Sequence, residues 1–366
     1  MSINKHLGLL LPLLFICLQL RSQEYKTERV FLITYDGLRW QELFGGVDEE
    51  LLNDSRYVSE LDAVKSNFWA ETPEERRQKL FPFFWSTVAE EGQLLGNRWK
   101  SSEVDLTNDQ WFSYPGYNEI LTGMADPDIR SNAKKYNSNK TILEIANESP
   151  SYAGKVAAFG SWDVFPYIIN DQRSKLPVNA GFQPATGDNL TEKEIFLNQL
   201  QEETPSPWSS VRLDVFTHHF ALEYIQKNHP DLVYISYGET DDFAHDGDYD
   251  QYLYSARRTD HFISKLWEYC QNNPYYAGKT TFIITTDHGR GDQKKNQWTS
   301  HGANVKDAYQ TWMVAFGPDT PALGERKNTQ KYFTNQVART VTSLLGISYD
   351  AAGKAGNPIE DFLKKN

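Results

Sequence analysis

Short apolar runs rich in β-branched residues alternate along the chain with longer segments whose apolar residues recur at helical spacing. The apolar runs predict buried, mostly parallel strands, because strands covered on both faces are apolar at consecutive positions. We predict strands at 30–36, 156–159, 231–237 and 280–286, with a late strand at 312–316. Helical spacing and terminal signals predict helices at 74–91, 115–122, 141–147, 211–228, 249–270 and 334–345.

This alternation is typical of a doubly wound α/β sheet with helices on both faces. Such sheets bind ligands beyond the carboxyl ends of their strands, and several predicted strands end in Asp, His or Gly. Residues 175–207 are rich in Asn, Pro, Gly and Thr and predict a long loop or a small insertion. We therefore predict a single catalytic domain over 23–366, with a loop-rich insertion near 164–210.

The predicted helix at 115–122 has clear signals at both ends. Pro115 suits the first helical position, and Gly123 suits the C-terminal cap. Ser113 precedes this helix, where unpaired N–H groups and the helix dipole favour an anion. A hydroxyl at that place is positioned for nucleophilic attack on a phosphate. Taken alone, an ordinary serine near a helix cap is the simpler interpretation.

The first 22 residues have the pattern of a secretory signal peptide. Lys5 and His6 precede an apolar run over 9–20, which is too short to span a bilayer comfortably. A buried helix or a retained membrane anchor is the alternative. No later stretch predicts a membrane span, so we expect an exported protein, either periplasmic or secreted.

Acidic residues outnumber basic ones, with 49 Asp and Glu against 37 Lys and Arg. Loss of the predicted signal removes Lys5 and Arg21 and no acidic residue, leaving 35 basic residues. This acidic balance argues against a nucleic-acid duplex as partner. The signal also contains Cys17, so a mature chain would hold Cys270 alone and no intramolecular disulfide.

Three Asp and three His residues stand beside Gly or near predicted strand ends: Asp36, Asp241, His245, Asp287, His288 and His301. Each one alone is explained by a cap, a turn or an ordinary polar contact. We assign such structural roles to four other histidines: His218, His219, His229 and His261. Six ligands exceed the three that one catalytic zinc usually takes from the protein, and they suit a site with two metal ions.

Five motifs occur in a characteristic order: Tyr35-Asp36-Gly37, Ser113-Tyr114-Pro115-Gly116-Tyr117, Thr240-Asp241-Asp242-Phe243-Ala244-His245, Thr286-Asp287-His288-Gly289 and Ser300-His301-Gly302. The set resembles the alkaline phosphatase superfamily, most closely its nucleotide pyrophosphatase/phosphodiesterase (type I phosphodiesterase) branch. The resemblance covers roughly 30–346.

The resemblance implies two zinc ions, or other divalent metals, and a phosphoric ester hydrolase that forms a phosphoseryl intermediate on Ser113. The implied ligands are Asp241, His245 and His301 for the first ion, and Asp36, Asp287, His288 and the labile Ser113 for the second. The substrate would be a small-molecule, nucleotide or glycan phosphate ester. The preference for monoesters or diesters and the oligomeric state stay open.

The nucleophile motif departs from the resembled branch. That branch usually has Thr as nucleophile, often with Asn-His after its Pro, where this chain has Ser113 and Gly116-Tyr117. A sulfatase of the superfamily would have Cys at the nucleophile position, or Ser in a motif with Arg two residues after the Pro. Tyr117 occupies that place, which disfavours sulfatase activity.

The substrate contacts are less sharply indicated. The region that aligns with the family's phosphate-contacting Asn contains Asn132, Lys134, Asn137 and Asn139, of which we prefer Asn132. Tyr114 is a second candidate contact. Three further residues suit either substrate binding or a structural role: Trp162, Asp163 and Arg173.

Two other functions compete with hydrolysis. A catalytically inactive, metal-bound extracellular binding module is the alternative from another class, although all six ligands and a hydroxyl nucleophile are present. A phosphotransferase of the same superfamily is the third possibility. A mutase fits poorly with export, and a membrane-bound transferase fits poorly with the lack of predicted spans.

Overall fold

The computed structural model describes residues 25–293 and 295–364, and the predicted signal peptide with Cys17 lies outside them. The strands are β1 Arg29–Tyr35, β2 Gly92–Leu95, β3 Val104–Asp105, β4 Val156–Gly160, β5 Val178–Ala180, β6 Leu232–Tyr237, β7 Thr280–Thr286, β8 Gln310–Thr311, β9 Met313–Phe316, β10 Gly324–Glu325 and β11 Tyr332–Phe333.

The α-helices are α1 Trp40–Gly45, α2 Glu49–Leu52, α3 Leu61–Phe68, α4 Pro73–Leu80, α5 Ala89–Glu91, α6 Ser113–Thr122, α7 Ile142–Glu148, α8 Phe165–Ile169, α9 Asp171–Ser174, α10 Glu192–Glu203, α11 Asp214–Asn228, α12 Glu239–Asp246, α13 Tyr249–Asn272 and α14 Val337–Leu344. A π-helix covers Phe84–Val88, and 3-10 helices cover Arg98–Lys100, Lys295–Thr299, Thr334–Gln336 and Glu360–Phe362. Within the described ranges, no helix is both long enough and apolar enough to cross a membrane.

The central sheet has eight strands in the order β10-β2-β9-β7-β1-β6-β4-β5. Strand β1 lies inside the sheet and pairs in parallel with β6 and β7. Among the described strands of this sheet, β9 alone runs against its neighbours. The predicted mostly parallel α/β sheet is therefore confirmed. The short strands β11, β3 and β8 form a separate three-stranded sheet that the sequence pattern did not predict.

Each face of the central sheet is covered by its own hydrophobic core. Alternate residues of β1 belong to opposite cores, with Phe31 and Ile33 on one face and Val30 and Leu32 on the other. Helices α11 and α13 contribute to the first core, while α6, α7 and α14 contribute to the second. Burial on both faces explains why the predicted strands contain consecutive apolar residues rather than a strict alternation of apolar and polar ones.

Two predicted segments differ from the structure. The helix predicted at 74–91 is broken after α4 because Pro82 cannot donate the backbone hydrogen bond that an α-helix needs, and the chain continues as the π-helix and α5. The loop predicted at 175–207 contains regular structure: β5 extends the central sheet, and α10 begins with a capping box at Thr191 and Glu194.

Candidate active site

Three candidate ligands converge because their strands are neighbours in the sheet. Asp36 follows β1, Asp287 follows β7, and Asp241 lies in the first turn of α12, which follows β6. Strands β7, β1 and β6 are adjacent and parallel, so their carboxyl ends meet at one edge of the sheet. The site therefore lies where an open α/β sheet binds its ligands.

The first set of ligands, which we call the inner group, consists of Asp36, Asp287 and His288. The Nε2 atom of His288 lies 3.3 Å from Asp36 Oδ1 and 3.5 Å from Asp287 Oδ2. Both oxygens are buried and have no hydrogen-bond partner among the described residues. The other ring nitrogen of His288, Nδ1, donates to the carbonyl oxygen of Gly289 at 2.9 Å, which leaves Nε2 facing the carboxylates.

The second oxygen of each inner carboxylate is fixed by the fold. Tyr117 donates its hydroxyl proton to Asp36 Oδ2 at 2.8 Å, and the backbone N–H of Gly37 donates to Asp287 Oδ1 at 3.0 Å. Each carboxylate thus has one oxygen held in place and one left for another partner. Two carboxylate oxygens without a hydrogen-bond partner lie beside an imidazole of fixed orientation. Divalent cations bind to such groups, so these donors fit a metal ion.

The second set, which we call the outer group, consists of Asp241, His245 and His301. Helix α12 places Asp241 and His245 one turn apart, and His245 Nε2 lies 3.2 Å from Asp241 Oδ2. The Nε2 atoms of His245 and His301 are 2.9 Å apart, and His301 Nε2 lies 3.7 Å from Asp241 Oδ1. The side chain of His245 is 46% exposed, which places this group at the mouth of the site.

The two groups share a boundary. His288 Nε2 also lies 3.6 Å from Asp241 Oδ1, and the rings of His288 and His301 stack with centroids 4.0 Å apart. Ligand atoms of Asp36, Asp287 and His288 fall within 4.8 Å of one another, as do those of Asp241, His288 and His301. All six predicted ligands therefore lie together, and His288 lies between the two groups.

Burial and mutual repulsion set the charges of the inner group. The pKa of Asp287 is raised well above its usual value, mainly by burial and secondly by the negative charge of the neighbouring Asp36. Burial and then Asp241 raise the pKa of Asp36. Burial alone would lower the pKa of His288, but the surrounding carboxylates outweigh it and raise this pKa to about 9. The positive charge of His288 is thus not enough to keep the pKa values of the two inner carboxyl groups at their usual level.

The outer group contains a cation that sequence reasoning missed. Arg290 is fully buried, and its Nη2 atom donates both to the carboxylate of Asp241 and, at 3.0 Å, to the backbone oxygen of that residue. Burial acts to raise the pKa of Asp241, but Arg290 leads the charges that hold this pKa well below its usual value. The sequence did offer one sign of this role, because Arg290 directly follows the Asp287-His288-Gly289 motif.

Ser113 is the first residue of α6, two positions earlier than the predicted helix start. Its side chain is buried, and its Oγ atom lies 3.5 Å from His288 Nε2. Trp111, two residues before it, has a positive φ of 52°, a strained conformation for an aromatic residue that turns the chain into the helix. The nucleophile candidate therefore faces the inner group.

Gly116 explains how α6 approaches the ligands so closely. A Cβ atom at this position would lie 2.1 Å from the backbone oxygen of Asp287. The helix therefore packs its backbone directly against the end of β7. This contact requires glycine at the position where the resembled branch often has Asn.

The two candidate substrate contacts, Asn132 and Tyr114, lie in different surroundings. Asn132 accepts a hydrogen bond from the Tyr114 backbone N–H at 3.0 Å, which places its exposed amide beside the start of α6. The Tyr114 side chain is buried, and its hydroxyl donates to the carbonyl oxygens of Lys135 and Tyr167, which is a structural role.

The remaining candidates serve the fold. Asn137 and Asn139 both donate to Asn118, and Lys134 pairs with Asp163 at 2.6 Å. Arg173 pairs with Glu144 and donates to three backbone carbonyls, while Trp162 packs edge-on against Phe165.

The four histidines assigned to structural roles lie away from the ligand groups. His218 is stacked on Phe262, with Nδ1 3.1 Å from the Tyr237 hydroxyl, and His219 contacts the His218 ring. The ring of His229 packs between Tyr275 and Tyr276, and His261 is exposed on α13. None of the four joins a candidate metal group within the described part of the chain.

Comparison with known sequences finds similarity over part of the chain. Residues 216–305, which contain five of the six candidate ligands, match the Metalloenzyme superfamily. A stretch of 88 residues is 33% identical to a 2,3-bisphosphoglycerate-independent phosphoglycerate mutase of Gracilaria tenuistipitata var. liui. The matched stretch covers 23% of this chain and only 16% of the length of that relative.

Comparison with solved structures extends the similarity over most of the chain. The alkaline phosphatase PafA has a TM-score of 0.59 at 12% identity, with 93% of this chain and 99% of that chain covered. A 2-O GAG sulfatase has a TM-score of 0.59 at 14% identity, covering 93% and 75%. The lipoteichoic acid synthase LtaP of Listeria monocytogenes has a TM-score of 0.55 at 11% identity, covering 88% and 73%. At these identities the likeness concerns the fold.

Proposed function

We propose that this chain, a member of the alkaline-phosphatase-like metalloenzyme superfamily by its fold and its ligand motifs, is an exported metal-dependent phosphoric ester hydrolase. The observation that carries the proposal is the position of Ser113. Ser113 is the first residue of a ten-residue helix, and its Oγ atom lies 3.5 Å from His288 Nε2. The same nitrogen lies 3.3 and 3.5 Å from two carboxylate oxygens that have no hydrogen-bond partner among the described residues.

The proposed reaction has two displacements at phosphorus. The Ser113 oxygen attacks the phosphorus atom, the bond to the leaving alcohol breaks, and a phosphoseryl group forms on Ser113. Water then attacks that phosphorus, which releases phosphate or a phosphate monoester and restores the serine hydroxyl. The N-terminus of α6 favours the negative charge of the phosphoryl group. In the proposed reaction the side-chain N–H of Asn132, whose oxygen accepts from the Tyr114 backbone at the start of α6, donates to a phosphoryl oxygen.

The ligand set fits two divalent metal ions, for which we propose zinc. The inner group would hold one ion next to Ser113, and the outer group would hold the other. When bound, such ions supply Lewis-acid stabilisation of charge and lower the pKa of a hydroxyl or water ligand. Without them, the inner carboxylates face only one imidazole.

The nucleophile is tested by trapping the intermediate. Zinc-loaded protein is incubated with p-nitrophenyl phosphate or bis-p-nitrophenyl phosphate, and the quenched protein is examined by intact mass spectrometry and peptide mapping. We expect one added phosphoryl group on Ser113 and loss of turnover by a factor of about 1000 or more in Ser113→Ala. Ser131→Ala, which changes an exposed serine nearby, is the control. Full turnover in Ser113→Ala would contradict the proposal.

A second candidate, mutase activity, is favoured by the stretch that matches the phosphoglycerate mutase. In that reaction an alcohol of the substrate, rather than water, would accept the phosphoryl group from Ser113. Incubation with 3-phosphoglycerate distinguishes the two, because a mutase yields 2-phosphoglycerate and a hydrolase yields inorganic phosphate. We expect phosphate release.

Export is a proposal that rests on the first 22 residues. Expression of the full chain in a Gram-negative host, followed by osmotic-shock fractionation and N-terminal sequencing, tests it. We expect the protein in the periplasmic fraction, with a new N-terminus near Ser22. Retention of Met1 in a cytoplasmic protein would exclude a cleaved signal.

A further inference from the structure

Arg290 contacts three of the segments that carry or precede the candidate metal ligands. Its side chain is buried, and its Nε atom donates to the carbonyl oxygen of Gly37 at 3.2 Å. Its Nη1 atom donates to the carbonyl oxygen of Trp298 at 3.3 Å. Its Nη2 atom donates to the carbonyl oxygen of Asp241 at 3.0 Å and to Oδ1 of the same residue. One guanidinium therefore bonds to the loop after β1, to helix α12 and to the 3-10 helix that contains Trp298.

Gly37 makes room for the ion pair between Arg290 and Asp241. The residue has a φ of 58°, and a Cβ atom there would lie 2.7 Å from Asp241 Oδ1 and 3.1 Å from Arg290 Nε. The Arg290 side chain is fully buried and that of Asp241 is 13% exposed. Because both partners are largely removed from water, solvent and salt screen their charges weakly.

Arg290 occupies the Asp241 oxygen that lies between the inner and outer groups. This oxygen, Oδ1, is 3.6 Å from His288 Nε2 and 3.7 Å from His301 Nε2. The other oxygen, Oδ2, faces His245 Nε2 at 3.2 Å. The outer group therefore contains a carboxylate that already has a cationic partner.

The inner carboxylates have no comparable cation. Within the described residues, Asp36 and Asp287 form ion pairs only with the imidazole of His288, and each keeps a buried oxygen without a hydrogen-bond partner. A guanidinium stays charged at any ordinary pH. It therefore repels a divalent ion in the outer group, whereas the inner group offers two unpaired carboxylate oxygens.

The imidazole of His301 gives an independent sign that the outer group binds metal less tightly. Its Nδ1 atom is buried and has no hydrogen-bond partner in the described part of the chain. Metal-binding imidazoles usually donate from the second ring nitrogen, which fixes the ring and raises its basicity. His288 has such a bond, to the carbonyl oxygen of Gly289 at 2.9 Å. His301 lacks this support.

Other hydrogen bonds hold the same segments in place. Thr240 Oγ1 donates to the carbonyl oxygen of Asp36 at 2.5 Å, and the Gly37 N–H donates to Asp287 Oδ1 at 3.0 Å. The N–H of Gly291 donates to the carbonyl oxygen of Ser300 at 3.1 Å. The positions of the ligands are therefore supported by several bonds, whereas the positive charge on Asp241 comes first from Arg290.

We propose that Arg290 sets the order in which the two metal ions bind. Its charge, acting through Asp241, makes the outer group the weaker site, so that the inner group fills first and the outer group fills at higher metal concentration. The inference rests on the two-ion site of the proposed function. It does not rest on hydrolysis, because it concerns metal binding without a phosphate ester.

Zinc binding to metal-free protein is measured by titration calorimetry with a competing chelator. The parent should show two classes of site, and His245→Ala should lose the weaker one. Arg290→Met removes the charge at similar length, so the dissociation constant of the outer site should fall about tenfold or more relative to that of the inner site. Arg290→Lys keeps the charge and should retain the ratio of the parent.

Lys295→Met is the matched control, because it removes a positive charge from the same segment. Lys295 pairs with three acidic residues that are not ligands: Asp48, Glu50 and Asp292. The ratio of the two dissociation constants should stay unchanged in this variant. Near-UV circular dichroism establishes that each metal-free variant is folded. If Arg290→Met does not fold without metal, Arg290→Gln, which keeps an N–H donor but no charge, should show the same fall.

Three results would overturn the inference while leaving the proposed function intact. The first is an outer site that binds zinc more tightly than the inner site in the parent. The second is a ratio that stays the same or rises when Arg290 is replaced by a neutral residue. The third is an equal fall of the ratio in Lys295→Met or Arg290→Lys. A chain that binds no zinc in either group would refute the inference and the proposed two-ion site together.

Discussion

The inner and outer groups contain the same kinds of ligand, but their charges are balanced in different ways. In the inner group, two buried carboxylates face one imidazole, and burial with mutual repulsion raises the pKa of both carboxyl groups. In the outer group, Arg290 already pairs with Asp241 and outweighs the effect of burial on its pKa. The inner group therefore depends on an added cation, whereas the outer group has a permanent one.

The largest expected contrast is the effect of removing one carboxylate charge from metal-free protein. Asp287→Asn should raise the free energy of unfolding by about 1 kcal/mol or more, because the raised pKa of Asp287 means that its charge opposes folding. Asp241→Asn should lower it by about 3–5 kcal/mol, because Arg290 would remain buried without its partner. Urea unfolding in the presence of chelator measures both.

Asp188→Asn, at an exposed loop position, is the control for a lost surface charge and should change little. If Asp287→Asn and Asp241→Asn changed the free energy of unfolding in the same direction, the proposed difference in charge balance between the inner and outer groups would be wrong.

Metal removal should separate the groups in time. Complete chelation should abolish phosphoric ester hydrolysis and lower the free energy of unfolding by about 4 kcal/mol for each ion removed, relative to zinc at a thousandfold excess over its Kd. During slow dialysis the outer ion should leave first, because His245 is half-exposed and the inner side chains are almost fully buried. Metal analysis should then pass through a plateau near one ion per chain; a single-step loss of both ions would contradict this order.

Alkaline pH should destabilise the metal-free protein through the inner group. The pKa of His288 is about 9, against about 6.5 in an unfolded chain. His288 therefore holds an extra proton in the folded protein between these values, so its contribution to stability is full below pH 6.5 and is lost as pH rises toward 9. The loss should reach about 3 kcal/mol, at roughly 1.4 kcal/mol per pH unit. Urea titrations across this range measure it, and bound zinc should abolish the dependence on His288.

The smallest expected effect concerns the mouth of the site. His245→Ala should change the unfolding free energy of metal-free protein by less than about 0.5 kcal/mol, because the ring is half in solvent. The same variant should still lower zinc stoichiometry and hydrolysis. The conservative outer variant His245→Gln provides the matched comparison. A large loss of stability in His245→Ala would show that the outer imidazole supports the fold itself.

The candidate ligands could be picked out in the sequence because each belongs to a local pattern. Asp36 and Asp287 directly follow apolar strands, and His245 stands one helical turn after Asp241, so the sequence shows them without knowledge of long-range contacts. The fold class followed from the same strands. Arg290 was missed because its function depends on a contact with Asp241, which is 49 positions away in the sequence. The small second sheet was missed because two-residue strands have no detectable period.

The position of Asn132 shows the same limit. Spacing alone did not choose among the asparagines near 132–139, whereas the hydrogen bond from the Tyr114 amide distinguishes Asn132.

The close packing of Gly116 against the end of β7 has a consequence for how this active site can change over evolution or in the laboratory. Gly116→Asn, which would restore the residue often found in the resembled branch, brings a Cβ atom to 2.1 Å from the Asp287 backbone. Helix α6 would have to withdraw, and Ser113 would move with it away from His288. The residue at position 116 and the position of Ser113 relative to His288 can therefore change only together. A protein that receives Asn at position 116 without a compensating shift of α6 should fold but be inactive.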